Sequence, residues 1–253
     1  MRNLLITISY KGTAYHGFQV QKNAVTVCEV FQNAVEKVLK KREDVKGCSR
    51  TDSGVHAGQF CVGLSTEASI PCENLVRALN VNLPDDVAVL DCIEVPQEFH
   101  ARYSSTGKRY VYRVWNSAVK NPFLGEYSWH YPYKLDVEKM NRAAADFIGT
   151  HDFSAFCSAG TSVEDKVRTI HFVGVEKNGD LVQITVEGDG FLYNMVRIMA
   201  GTLIEIGGGF REETQIPAVL ASLDRAKAGK TAPAHGLHLD KVFYDEIEGF
   251  KRK

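Results

Sequence analysis

Long apolar runs, paired cysteines and metal-spaced histidines are all missing from this sequence, and each absence removes a class of protein. No apolar run approaches the roughly 20 residues of a membrane span, and the longest are interrupted by polar residues. Met1-Arg2-Asn3-Leu4 leads straight into a strand-like segment, with no signal-peptide core and cleavage site. The six cysteines (28, 48, 61, 72, 92 and 157) form no CxxC pair and no Cys/His cluster at zinc spacing. They read as reduced, mostly buried thiols of a cytoplasmic protein, and no metal is expected. The HExxH, GxSxG and P-loop signatures are absent as well. Gly207-Gly208-Gly209 follows a helical pattern instead of opening one, so it reads as a stop and not as a phosphate cradle. An excess of one charge is lacking too: 30 Lys+Arg against 31 Asp+Glu leaves −1. Bulk charge therefore names no partner, and a nucleic-acid role needs local clustering of basic residues.

What is present is an ordinary folded chain: 253 residues, 44% hydrophobic and 24% charged. That length allows one large domain or two joined halves. Residues 4–10 form a β-rich run. From Thr26 the apolar residues Val27, Val30, Phe31, Ala34, Val35, Val38 and Leu39 recur at helical spacing. Thr26 with Glu29 makes a capping box that starts this helix. Lys37, Lys40, Lys41 and Arg42 crowd its end, where cations favour the negative pole of the helix, so they need no RNA to explain them. Strands are expected at 59–64, 86–94, 109–116 and 238–244, and helices at 72–80, from Asp136 to about 148, at 191–206 and at 214–228. Asn178-Gly179 between two alternating runs predicts a hairpin over 169–187. Interleaved helices and strands with an antiparallel hairpin argue an α+β fold, helices packing on a largely antiparallel sheet. The order of elements suggests halves at 1–105 and 106–253.

Three stretches can carry chemistry. Arg50-Thr51-Asp52-Ser53-Gly54-Val55-His56-Ala57-Gly58 is a polar loop between a helix and a strand, a common seat of function. It holds an Asp, an Arg and a His, and its glycines let backbone approach a ligand. An Asx-type turn centred on Asp52 explains it about as well. His56 reads either as a general base or as a structural residue. Residues 99–115 interleave Arg102, Lys108, Arg109 and Arg113 with Phe99, Tyr103, Tyr110, Tyr112 and Trp115, a mixture suited to phosphate contacts and base stacking. On a strand, Tyr110, Tyr112 and Val114 share one face, and Arg109, Val111, Arg113 and Trp115 the other. An ordinary half-buried strand would place at least one of the tyrosines in a core. Residues 189–204 hold an apolar stripe interrupted by Arg197, and a buried arginine demands a partner. Asp52 as that partner would stay ionised at neutral pH.

The segments GTAYHGFQ, SRTDSGVHAGQF, FHARYSSTGKRYVYR, GFLYNMVRIMAG and TAPAHGLHL occur in order over nearly the whole chain. Together they resemble the tRNA pseudouridine synthase A (TruA) family. The resemblance implies two similar halves forming a central antiparallel sheet with a cleft, a homodimer, and no cofactor or metal. It implies conversion of uridine to pseudouridine at positions 38, 39 and 40, in the anticodon stem-loop of tRNA. It matches Asp52 to the catalytic aspartate, Arg50 to the arginine that helps displace the target base, Tyr110 to the tyrosine that stacks on the uracil, and Arg197 to the arginine paired with the aspartate. The neighbouring Arg102, Lys108, Arg109 and Arg113 are the expected RNA contacts. Two positions depart from the family pattern: Ser49 stands in place of the usual Gly before RTD, and Phe18 in place of Trp in GWQ.

Two other classes remain open on the residues. A non-catalytic RNA-binding module would be expected to have lost Asp52 or Tyr110, and both are present. A small-molecule hydrolase or lyase using Asp52 and His56 leaves the basic-aromatic segment unexplained. A paralogue acting on other RNA uridines stays compatible with the motifs.

Overall fold

The computed structural model describes residues 1–160 and 163–252, which group into two compact units, Met1–Thr106 with Leu239–Lys253 and Gly107–His238. In the first unit β1 (Arg2–Tyr10), α1 (Val27–Leu39), β2 (Val45–Gly47), β3 (His56–Thr66), α2 (Cys72–Asn82) and β4 (Val87–Val95) follow in chain order. Strand β1 is central, antiparallel to β3 on one side and β4 on the other, and β2 adds to β3. Leu4, Leu5, Ile6 and Ile8 are all buried, as a strand covered on both faces requires. Thr26 caps α1 as the capping box demands, its hydroxyl accepting from the Glu29 amide at 3.3 Å. Val27, Phe31, Ala34 and Val35 form the buried stripe of that helix. Two of the cations at its end are paired, Arg42 with Glu36 at 2.8 Å and Lys41 with Glu43 at 3.5 Å.

The second unit holds β5 (Gly107–Trp115), β6 (Trp129–His130), α3 (Val137–Ala144), β7 (Gly149–Asp152), β8 (Val167–Asn178), β9 (Leu181–Gly188), α4 (Met195–Gly207) and α5 (Ile216–Ser222). Its sheet runs β5-β9-β8-β7 with antiparallel neighbours, and β6 adds to β5 in parallel. Asp136 caps α3, its carboxylate accepting from the Lys139 amide at 3.0 Å. Phe147, Phe153 and Phe156 make an aromatic cluster beneath, with ring centroids 5.0–6.5 Å apart. Helix α4 is apolar on nearly every side: Ile198, Met199, Leu203, Ile204 and Ile206 have no exposed surface.

The chain ends on β10 (Leu237–Phe243), which lies beside β3 and completes the sheet of the first unit. Val242 donates to the Gln59 side chain at 3.2 Å, and Thr106 to the Phe243 carbonyl at 2.9 Å. Tyr244 stacks near Phe99, ring centroids 5.1 Å apart, and its buried hydroxyl donates to the Ala101 carbonyl. The molecule is α+β, mostly antiparallel, with helices flanking the strands.

Candidate active site

The RTD stretch is a turn stitched to the chain between β1 and α1. The Asp52 carbonyl accepts from Val55 at 3.1 Å, and Gly54, with φ +79°, donates to the Tyr15 carbonyl at 3.2 Å. Ser53 donates its hydroxyl to the same carbonyl at 3.3 Å. Phe18 donates to the Thr51 carbonyl at 3.3 Å, and the Thr51 hydroxyl is hydrogen-bonded to Tyr10 at 2.8 Å. These contacts require two glycines on the facing segment. A Cβ on Gly12 would sit 1.9 Å from the Val55 carbonyl oxygen, and one on Gly17, with φ +83°, 2.4 Å from that of Thr51. GTAYHGFQ and RTDSGVHA, which begin at Gly12 and Arg50, are thus one piece of structure.

Within this piece the candidate residues take different positions. Asp52 is half-buried, and Arg50 is exposed. His56 is buried, and its Nδ1 accepts from the Gly12 amide at 3.0 Å. That nitrogen is committed to holding the turn, which favours the structural reading of this histidine. Arg50 and Arg102 line one pocket of about 180 Å³ together with Phe18, Cys28 and Ser49. Phe18 is stacked on Phe60 at 4.2 Å, and Gly47 leaves room for its ring. Burial pushes the Cys28 thiol up to about 11, so this wall of the pocket is uncharged at neutral pH.

In the second unit β5 presents the expected alternation. Tyr110, Tyr112 and Val114 are buried on one face, while Arg109, Arg113 and Trp115 are half-buried on the other. Tyr110 meets Phe191 edge-to-face at 5.1 Å. The Tyr112 hydroxyl donates to the Pro233 carbonyl at 2.8 Å, and burial keeps its phenol protonated. Arg109 makes an ion pair across the sheet with Glu187 at 2.6 Å. Lys108 is buried, and the Arg113 Nε is buried without a hydrogen-bond partner. Arg197, on the first turn of α4, donates to Asn194 Oδ1 at 2.7 Å and to the Ala232 carbonyl at 2.8 Å. His235, from TAPAHGLHL, lies near it, and burial together with the charge of Arg197 holds its imidazole below the ordinary range.

Sequence reading missed the supports: Tyr10 and Tyr15 behind the RTD turn, Phe191 against Tyr110, and Asn194 under Arg197. Asn194 carried a signal, because asparagine is one of the few residues that adopt φ near +60°, and here it does so immediately before α4.

The sequence model of a family described as tRNA pseudouridine synthase matches residues 6–104 and 143–245. The chain belongs to the tRNA pseudouridine synthase family. It is similar to "tRNA pseudouridine synthase A" of Thermoanaerobacter sp. (strain X514), 48% identical over 96% of this chain and all of that one. The protein of the same name in Bacillus pumilus (strain SAFR-032) is 47% identical over 94% of this chain and 98% of its own length. A third, "tRNA pseudouridine synthase A 2" of Clostridium tetani, is 44% identical over 96% and 99%. The motifs quoted above lie within or beside the matched ranges, and the molecule is an enzyme of RNA modification, an isomerase of uridine. Among the described residues no helix is long and apolar enough to cross a membrane, and no group of three or more His, Cys, Asp or Glu could hold a metal ion.

Proposed function

We propose that Asp52 is the catalytic carboxylate of a synthase acting on uridines 38, 39 and 40 in the anticodon stem-loop of tRNA. The observation that carries this is the RTD turn itself. Its Thr51 carbonyl, Ser53 hydroxyl and Gly54 amide are engaged by the facing segment. Its Thr51 hydroxyl is engaged by Tyr10 of β1 and its Asp52 carbonyl by Val55 within the loop. These contacts hold the Asp52 side chain half-buried on a fixed backbone. The isomerisation breaks the C1′–N1 bond of uridine, turns the uracil, and joins C1′ to C5. The proton on C5 is lost and N1 gains one, so no oxidant or co-reactant is consumed. A carboxylate serves both stages, first by attacking the sugar or taking a proton from it, then by helping remove the C5 proton.

The remaining roles follow the family resemblance. Arg50, exposed on the turn, fills the gap left by the unstacked uridine, and Tyr110 stacks on the uracil. Arg197 is the cation matched to the catalytic carboxylate, and its fixed guanidinium supports an oriented role. Arg102, Lys108, Arg109 and Arg113 contact RNA phosphates, with Arg109 steadied by Glu187. The protein works in the cytoplasm as a homodimer, the chain dividing after residue 105 into two similar halves, 1–105 and 106–253, of which the second returns 239–253 to the first unit. A second reading, a paralogue that modifies other RNA uridines, has one observation behind it. Phe18 and Ser49, the two departures from the family pattern, line one pocket with Arg50.

The test is tritium release from a tRNA transcript carrying 5-³H-uridine, with the modified positions then mapped. Release by the wild type, and none by an Asp52→Asn variant that still binds tRNA, is the expected result. Equal release by both overturns the role of Asp52, and modification elsewhere than 38–40 selects the paralogue reading.

A further inference from the structure

The loop after β4 holds an aromatic ring in water by an arrangement that the reaction as described does not use. Tyr103 is 77% exposed. Exposure alone would be unremarkable, but the loop beneath it is built around one histidine. His100 Nδ1 accepts from the backbone amides of both Arg102 and Tyr103, at 3.1 and 3.3 Å. The His100 amide donates to the Ser104 hydroxyl at 3.1 Å, and the Ser104 amide returns to the His100 carbonyl at 2.9 Å. The imidazole lies against the tyrosine ring, centroids 4.4 Å apart and planes tilted by 36°. With Nδ1 an acceptor, the imidazole is neutral.

Two cations lie by this loop. The Arg102 guanidinium is 5.7 Å from the Tyr103 ring centroid, and the exposed Lys46 lies close enough to act on His100. Arg102 also lines the pocket to which Arg50 of the RTD turn contributes, and no acidic residue lines that pocket. An exposed ring on a hydrogen-bonded loop, with the Arg102 guanidinium over it and Lys46 near the adjoining His100, matches a base stacked on an aromatic with its phosphate neutralised alongside.

We infer that Tyr103 is a stacking platform for an unpaired nucleobase of the RNA substrate, distinct from the target uridine, with Arg102 and Lys46 meeting the adjoining phosphate. The inference rests on the reading of the RTD turn as catalytic in tRNA modification and adds a second point of recognition in the same unit. Tyr103 is a binding residue and not a catalytic one. Its loss weakens tRNA binding and raises KM, and leaves kcat at saturating tRNA unchanged.

The experiment measures tRNA affinity and steady-state tritium release for wild type, Tyr103→Ala and Tyr103→Phe. It uses an intact transcript and transcripts with one abasic residue at each unpaired position in turn. Tyr103→Ala should bind the intact transcript about 5- to 150-fold more weakly, the range for loss of one stacked base, and Tyr103→Phe within about twofold of wild type. One abasic position should weaken the wild type to the level of Tyr103→Ala and leave that variant unchanged. Wild-type affinity in Tyr103→Ala overturns the inference, as does equal loss in Tyr103→Phe. So does a change in oligomeric state, by sedimentation, with tRNA affinity intact, which would make the ring a protein contact. A wild type that neither binds nor modifies tRNA refutes the underlying functional reading instead, so the two failures are separable.

Discussion

Replacing Gly17 by alanine tests whether the facing segment sets the position of Asp52. The glycine has φ +83°, a conformation costing a side-chain-bearing residue about 1–2 kcal/mol. Its added Cβ would also lie 2.4 Å from the Thr51 carbonyl oxygen, and such overpacking costs about 1–3 kcal/mol. Together these give about 2–5 kcal/mol, and a chain of this size loses about 2–4 °C in Tm for each kcal/mol. Gly179 is the control, with φ +58° and nothing within 4 Å of an added Cβ, so Gly179→Ala carries the conformational cost alone. The sharper difference is in turnover. Relieving the clash moves Thr51 by at least about 0.6 Å, and Asp52 is the next residue. Misplacement near 1 Å can lower a rate about 100-fold. Gly17→Ala should therefore lose at least about tenfold in tritium release at 25 °C while still folded, and Gly179→Ala should keep wild-type turnover. Thermal melts and saturating-tRNA kinetics on both variants decide the matter. Full turnover in Gly17→Ala, with a Tm loss no larger than that of Gly179→Ala, would refute the claim that this contact fixes the turn.

Two further outcomes follow from the titratable groups. Burial first, then the charge of Lys46, holds the His100 imidazole below its ordinary 6.5, so between those values the unfolded chain binds more protons than the folded one. Stability should thus rise with pH across that window and fall as pH drops through it. His100→Gln should flatten this slope in urea midpoints measured from pH 5 to 7.5, and an unchanged slope would count against the neutral imidazole. All six cysteines are free thiols, and only Cys72 is partly exposed. A native thiol titration at pH 8 should label Cys72 first, with Cys28, pushed up to about 11, among the slow ones. Mass-mapped labelling of Cys28 as fast as Cys72 would contradict its burial.

Much of the fold was legible because it is local. The capping box at Thr26 and the Asp136 cap each mark a helix that begins where expected. The hairpin is present, with its pairing carried one residue further, Asn178 to Leu181, so that Gly179 and Asp180 form the loop. Elsewhere periodicity misled. Leu192 and Met195 continue the apolar spacing across Asn194, whose left-handed backbone delays α4 to Met195, four residues later than the pattern suggests. The last expected helix, 214–228, stops at Ser222 because Leu223 turns left-handed with φ +55°. Strands β2, β6 and β7 have two to four residues, too few for an alternation to register. At the site, RTDSGVHA announced itself by composition. The residues that brace it, Gly12, Tyr15 and Gly17, are neighbours only through long-range pairing, which no local pattern encodes.

The return of β10 to the first unit makes the order of synthesis matter. Residues 1–106 leave the ribosome first but lack their β10 neighbour until 239–253 have been made, whereas 107–238 form a contiguous unit. Vectorial synthesis thus allows the second unit to mature while the RTD-bearing one waits, with the stretch of β3 beyond its pairing with β2 open on one side and prone to stray pairing. A polypeptide interrupted before Leu239 would carry every residue of the RTD turn and still lack the strand that closes its sheet. Completion of the first unit thus depends on a strand made after the whole second unit, and a product terminated before that strand would carry an open, association-prone edge.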